Sequence, residues 1–240
     1  MSNVISRNNQ QKKLQNKADS LRSKNFFKEA ISNYLNSMLL DRSNPENYFG
    51  IGICYEKMGK IKKAIQYLEK SVMLDSKNFE AFYELGLCHL ENDTPCCAIK
   101  CFVQAVTLEP DNPDAIYHLG LAHEAAEEPD MAIMIYQKLI ENSPNYIDAY
   151  IQKSSILMKM EKYRSALGLY YNVLKINPNY SKVYFDIGLC LDKLGKPQDA
   201  KRYYRKFLST NPESKHANYV SERVKKLRQI KTPTPGFSVV

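Results

Sequence analysis

Apolar residues along the chain fall at helical spacing, in short stripes separated by polar turns. Between residues 79 and 112, Phe82, Leu85, Gly86 and His89 mark one stripe, and Ala98, Ile99, Phe102 and Ala105 mark the next. The turn between them, Asn92-Asp93-Thr94-Pro95, offers Thr94 as an N-cap and Pro95 as a first helical residue. Pro129 and Pro197 hold the equivalent place, while Gly59 and Gly195 stand where a C′ glycine closes a first helix. Pro110 stops the second helix and turns the chain onward. The pattern predicts pairs of amphipathic helices.

The pairs repeat. Alanine recurs every 34 residues, at Ala30, Ala64, Ala98, Ala132, Ala166 and Ala200. Small residues stand twelve before each: Ala18, Gly52, Gly86, Gly120, Ser154 and Gly188. Large ones stand four after: Tyr34, Leu68, Phe102, Tyr136, Tyr170 and Tyr204. Two helices approach closely only where neither carries bulk, so the small residue and the alanine belong together. The repeats run 11–44, 45–78, 79–112, 113–146, 147–180 and 181–214 without insertion or deletion.

These residues resemble the tetratricopeptide repeat, W-x₂-L-G-x₂-Y, then A-x₃-F, then P. It reads here as Tyr48…Ile51-Gly52…Tyr55…Ala64…Leu68, as Phe82…Leu85-Gly86…His89…Ala98…Phe102…Pro110, and as Tyr184…Ile187-Gly188…Leu191…Ala200…Tyr204…Pro212. The resemblance covers residues 11–214 and implies an all-α, right-handed α-α superhelix, a solenoid of six helix-turn-helix repeats. Leu14, Tyr48, Phe82, Ile116, Tyr150 and Tyr184 take the tryptophan position, so a chain with no Trp still fills those sockets. Lys17 and Arg42 depart from the pattern in the first repeat. In the fifth, Lys153 and Ser154 replace Leu-Gly and predict looser packing there.

An open array leaves its last apolar face bare. Residues 215–230 supply a capping helix, with Ala217, Val220, Val224 and Leu227 inward and Arg223, Lys225, Lys226 and Arg228 on the other side. Residues 231–240 read as a flexible tail, and residues 1–10 as disordered. The ending Ser238-Val239-Val240 has the form that PDZ domains accept by strand addition.

Composition narrows the chemistry. Met1 to Lys13 is polar, and no apolar run reaches membrane-spanning length, which predicts a cytoplasmic protein without a membrane span. Cys54, Cys88 and Cys190 share one repeat position and read as small buried apolar residues. Cys96, Cys97 and Cys101 read as incidental thiols; a redox-sensitive pair is the alternative, and His89 does not complete four metal ligands. His89 and His123 fall on a packing stripe. No nucleophile motif, phosphate-cradling glycine loop or zinc-protease motif is present, so neither catalysis, metal nor cofactor is expected.

The resemblance also implies where a partner lies. Tetratricopeptide arrays bind segments in a groove lined by first helices, at the second, fifth, ninth and twelfth residues of each repeat. These positions give Phe49, Tyr83, Tyr117, Ile151 and Phe185, then Ile53, Leu87, Leu121 and Leu189. Glu46, Glu80, Asp114 and Asp148 hold the second position, Glu56 and Glu124 the twelfth. Phe49 and Ile53 replace the Lys and Asn of the chaperone-binding carboxylate clamp, which disfavours that ligand class. The expected function is a non-catalytic adaptor or scaffold holding an amphipathic or extended protein segment with basic flanks. The alternative is nucleic acid or an anionic surface bound through the basic terminal repeats and C-terminal helix. Charge weakens that alternative. The net +8 divides into +7 over residues 1–78, −10 over 79–146 and +11 over 147–240. A mid-groove ligand should be cationic, nucleic acid is disfavoured, and a basic end is expected to associate weakly with the middle of another copy.

Overall fold

A computed structural model describes residues 2–228. Its helices are α1 Ser2–Ser23, α2 Phe27–Leu40, α3 Pro45–Lys57, α4 Ile61–Leu74, α5 Phe79–Glu91, α6 Pro95–Leu108 and α7 Pro113–Ala125. They continue with α8 Pro129–Asn142, α9 Ile147–Lys159, α10 Tyr163–Ile176, α11 Tyr184–Lys193, α12 Pro197–Thr210 and α13 Ala217–Arg228. No strand occurs among the described residues. The chain divides into two compact bodies, residues 1–135 and 136–240, the division falling within α8. In the first, consecutive helices pack pairwise from α1 to α7; in the second they do so from α9 to α13. The fold class is the all-α solenoid of stacked helical hairpins.

One contact recurs inside the hairpins. Leu68, Phe102 and Tyr204 are fully buried, each seated on the glycine of its own first helix. A Cβ on Gly52 would stand 2.7 Å from Leu68, one on Gly86 2.7 Å from Phe102, and one on Gly188 2.5 Å from Tyr204. Real side chains do not come that close. In the first repeat, buried Ala18 takes the small position and the buried Tyr34 hydroxyl donates to Asp19 Oδ1 at 2.6 Å. In the fifth repeat the small position is held by Ser154, where the sequence predicts looser packing. Ser154 is fully buried, and its hydroxyl donates to the Tyr150 carbonyl at 2.6 Å, which satisfies the polar atom within the helix. Lys153 reaches outward to Gln137 Oε1.

The same large residues meet the sixth position of the following repeat. Phe102 stacks on His118 with ring centroids 5.8 Å apart, and Gly50 makes room for Tyr34. Asp186 holds this position beside Tyr170, and burial alone raises its carboxyl from 3.8 to about 6.

Turns follow the repeat more closely than their residues do. The residue closing each first helix is left-handed in all six repeats: Asn25, Gly59, Asp93, Glu127, Glu161 and Gly195, with φ between 56° and 68°. Thr94 holds the N-cap place of α6, yet its hydroxyl donates to the His89 carbonyl at 2.9 Å and closes α5 instead. Asn44, Asn78 and Asn112 cap α3, α5 and α7 through their side-chain oxygens. Tyr180 cannot do this, and a 3₁₀ turn, Ser181–Val183, precedes α11.

The ends correct two expectations. Residues 2–10 are helical and belong to α1, since neither glycine nor proline interrupts Ser2–Ser23. Val220, Val224 and Leu227 of α13 are buried as expected. Arg223, however, turns back to grip Asp192 with two hydrogen bonds, 2.6 and 2.7 Å. The Tyr204 hydroxyl donates to the same carboxylate at 3.4 Å. A bidentate, charge-assisted pair ties the helix to the last repeat. The tail and Ser238-Val239-Val240 lie outside the described residues.

Two predictions follow from this packing. Gly188→Ala should lower stability by about 1–3 kcal/mol, because its Cβ must displace Tyr204. Gly168→Ala, within α10, should raise it by about 1 kcal/mol, since a Cβ there meets nothing within 4 Å. Urea unfolding of both variants reads the opposite signs. For Asp186, the folded pKa exceeds the unfolded one, so folding favours the protonated acid. The stability this confers is full below about pH 4 and is lost as pH rises through about 6. Asp186→Asn mimics the neutral acid and should gain on wild type between about pH 4 and pH 8, by up to about 2–3 kcal/mol. Paired urea melts across that range measure it.

Candidate partner-binding site

In the first body, α1, α3, α5 and α7 touch in succession. The second, fifth, ninth and twelfth residues of a repeat are spaced three or four apart, so each helix presents them on one face. Helix α3 supplies Glu46, Phe49, Ile53 and Glu56; α5 supplies Glu80, Tyr83 and Leu87; α7 supplies Asp114, Tyr117, Leu121 and Glu124. The six apolar or aromatic side chains are all half-buried. Their inner edges are part of the core: Phe49 and Ile53 pack on Leu68 and Leu85, while Tyr83 and Leu87 pack on Phe102 and Ala122. Their outer edges form an apolar floor.

The aromatic residues are interlocked. Tyr83 stacks on Phe79 at 5.7 Å and meets Phe102 and His118 edge-on at 5.9 and 5.4 Å. Tyr117 meets His118 edge-on at 5.3 Å. His118 Nδ1 lies 3.1 Å from the Tyr83 hydroxyl and 2.8 Å from the Asp114 carbonyl oxygen. At the α1 side, the Arg22 guanidinium sits 5.8 Å above the Phe49 ring. This packing fixes the rings before any partner arrives.

Carboxylates surround the floor. Glu80 and Asp114 are exposed; the Glu56 carboxylate pairs with Lys57 at 3.1 Å. Burial, then the charge of Glu56, lifts the Glu84 carboxyl above its usual range, with Lys57 opposing. Glu46 is lifted by partial burial and by Asp19 and Asp75. Burial, then the charges of Asp114 and Glu84, pushes the Tyr83 hydroxyl up to about 12. In all three groups burial is the larger cause and neighbouring carboxylates the lesser.

The second body is arranged differently. Asp148 is exposed and Ile151 half-buried on α9. Phe185 of α11 is covered: it stacks on His216 at 4.5 Å and meets Phe207 and Tyr219 at 5.5 and 6.3 Å. Leu189 lines a cleft of about 320 Å³ with Asp192, Tyr219 and Arg223. His216 and Tyr219, before and within the capping helix, therefore pack on Phe185, and Leu189 lines the cleft beside that helix.

Other candidates behave as scaffold. Cys54, Cys88, Cys101 and Cys190 are buried, their thiols pushed up to about 11, 12, 12 and 12 by burial. Cys96 and Cys97 are exposed. His89 and His123 are buried and reach the turn after their helix, at Thr94 Oγ1 (3.0 Å) and Glu128 Oε2 (2.6 Å). Among the described residues no group of three or more His, Cys, Asp or Glu is placed to hold a metal ion, and no helix is long and apolar enough to cross a membrane.

The strongly exposed large apolar residues are elsewhere, on second helices: Leu39 at 68%, Met73 at 75% and Met134 at 65% exposure. Their signal lies within the repeat columns. Thr107, Glu141 and Lys175 stand where Leu39 and Met73 do, and Gln66, Lys100 and Arg202 where Met134 does.

Comparison with known proteins agrees with this architecture. Residues 53–175, just over half of the chain, match the family described as the cilia and flagella-associated protein 70 middle TPR-like domain. Residues 181–214 match the tetratricopeptide repeat itself. None of the curated proteins matches. Among solved structures, MamA is similar at 30% identity over 69% of this chain and 96% of its own, with a TM-score of 0.64. YrrB, described as a TPR protein with an unusual peptide-binding site, shares the fold at 18% identity, covering 79% of this chain and 97% of its own, TM-score 0.66. PilF of Pseudomonas aeruginosa does so at 15% identity, 90% and 99% coverage and a TM-score of 0.69. With its 34-residue period, its helical hairpins and these matches, the chain belongs to the tetratricopeptide repeat family.

Proposed function

We propose that the chain is a non-catalytic adaptor that binds a protein segment along the face of α3, α5 and α7. The observation that carries this reading is the preformed floor of Phe49, Ile53, Tyr83, Leu87, Tyr117 and Leu121 inside a frame of carboxylates. Aromatic and aliphatic anchors held rigid before binding lose little entropy on contact, so their burial converts efficiently into affinity. The acidic frame sets register and selects the partner by charge. Glu84 and Glu46, lifted first by burial and then by neighbouring carboxylates, are groups whose charged form a nearby cation would favour. The ligand is thus an extended or amphipathic segment with apolar anchors and Lys or Arg on its flanks. Within the second body, Asp148 and Ile151 present similar chemistry on α9, and Phe185 and Leu189 serve the attachment of α13.

A library of apolar-anchored peptides with basic, neutral or acidic flanks tests this directly. Wild type should select basic flanks, and Tyr83→Ala with Leu121→Ala should weaken the selected peptides about tenfold or more. Glu80→Lys with Asp114→Lys, surface changes that leave the floor intact, should erase the preference for basic flanks. Equal binding of acidic and basic peptides by wild type would refute the reading.

A further inference from the structure

Gly168 lies inside α10, where glycine is less favourable than alanine by about 1 kcal/mol. Its backbone is ordinary helix, and a Cβ there would meet nothing within 4 Å. Neither a turn nor internal packing accounts for it. It forms the floor of an open cleft of about 720 Å³ between α10 and α12, lined by Ser165, Leu169, Tyr171, Leu174 and Tyr203. The rim is basic. Lys175 lines the cleft, Arg164, Arg202 and Arg205 are exposed on the same two helices, and Lys206 lies 5.4 Å from the Tyr203 ring. Asp199 is the one carboxylate in the sequence of either helix.

Thirty-four residues before Gly168, in the same repeat position, stands Met134, 65% exposed, with Met131 beside it at 45%. Methionine is an unbranched side chain that fits irregular apolar gaps. This helix, α8, has an acidic setting: Asp130 and Glu141 within it and Glu127 and Glu128 just before, against a single Lys138.

We propose that two copies of this chain associate through these surfaces, the exposed methionines of α8 in one copy entering the Gly168 cleft of the other. Charge argues for a second copy as the occupant. Residues 79–146 carry −10 and residues 147–240 carry +11, so each copy holds both the acidic knob and the basic hole. Two methionines on one helix bury less than a standard interface, which places the dimer in the micromolar range and makes it sensitive to salt. The first-helix face is not used, so this inference stands independently of the proposed ligand site.

Sedimentation velocity of the full chain from about 1 to about 200 µM decides it. Gln66 holds this place in the second repeat, so Met134→Gln and Gly168→Gln are compatible with the helix. Wild type should dimerise, each variant should weaken the dimer about tenfold with unchanged helical circular dichroism, and raising salt from about 50 to about 500 mM should weaken it further. A wild type that stays monomeric throughout overturns the proposal, as does a dimer that both variants leave unchanged. Should a variant lose helicity, hydrogen exchange of wild type at high and low concentration replaces it. Concentration-dependent protection in residues 129–142 and 165–175 supports the proposal, and protection confined to other segments overturns it.

Discussion

The structure depends on the seating of one large residue against one missing side chain. Leu68 on Gly52, Phe102 on Gly86 and Tyr204 on Gly188 bring two helices to a separation that any Cβ would forbid. Burying each of those side chains is worth roughly 2–3 kcal/mol, but the geometric consequence matters more. Once the second-helix residue is seated, the orientation of both helices about their axes is set. The second, fifth, ninth and twelfth residues of the first helix then share one face, whose apolar members rest their inner edges on the seated residue, as Phe49 does on Leu68 and Tyr83 on Phe102. The proposed binding face is thus a by-product of how the hairpin closes.

Most of the fold was legible because this constraint repeats. Ala30 to Ala200 at one spacing, with small and large residues at fixed offsets, says which face of each helix is inside and where the turns fall. What escaped was decided by contacts that no period encodes. Arg223 reads as a solvent-side residue of α13 until Asp192 is seen within 2.6 Å of it, 31 residues away. Thr94 has the sequence of an N-cap, yet the neighbouring His89 turn offers its hydroxyl a nearer acceptor. Ser154 stands fully buried where other repeats hold glycine, because its hydroxyl bonds within its own helix. Residues 2–10 lack any apolar stripe, so periodicity was silent on the helix they form with the rest of α1.

The candidate site was legible only in outline. Family spacing identified which residues share a face, and the interlocked rings of Tyr83, His118 and Tyr117 keep them together. It did not foresee that α13 would cover Phe185, because the approach of a capping helix depends on His216 and Tyr219, outside the repeats. Nor did it foresee exposed methionines on second helices. Those are departures within a column, visible only when Met134 is set against Gln66, Lys100, Gly168 and Arg202.

Second helices have two sides with separate obligations. The side carrying Leu68, Phe102 and Tyr204 is committed to the seat and tolerates no change of volume. The other side has no partner within the hairpin, and there the chain places charge, an exposed methionine or a bare glycine without affecting closure. Binding at the first-helix face and at this outer side is therefore separated by a tightly packed layer that has no second arrangement. Sites separated by such a layer couple only if it is bistable, and a residue lodged where a Cβ cannot go is not. The two proposed surfaces would then act as independent attachments, joined on one chain and with no signal between them.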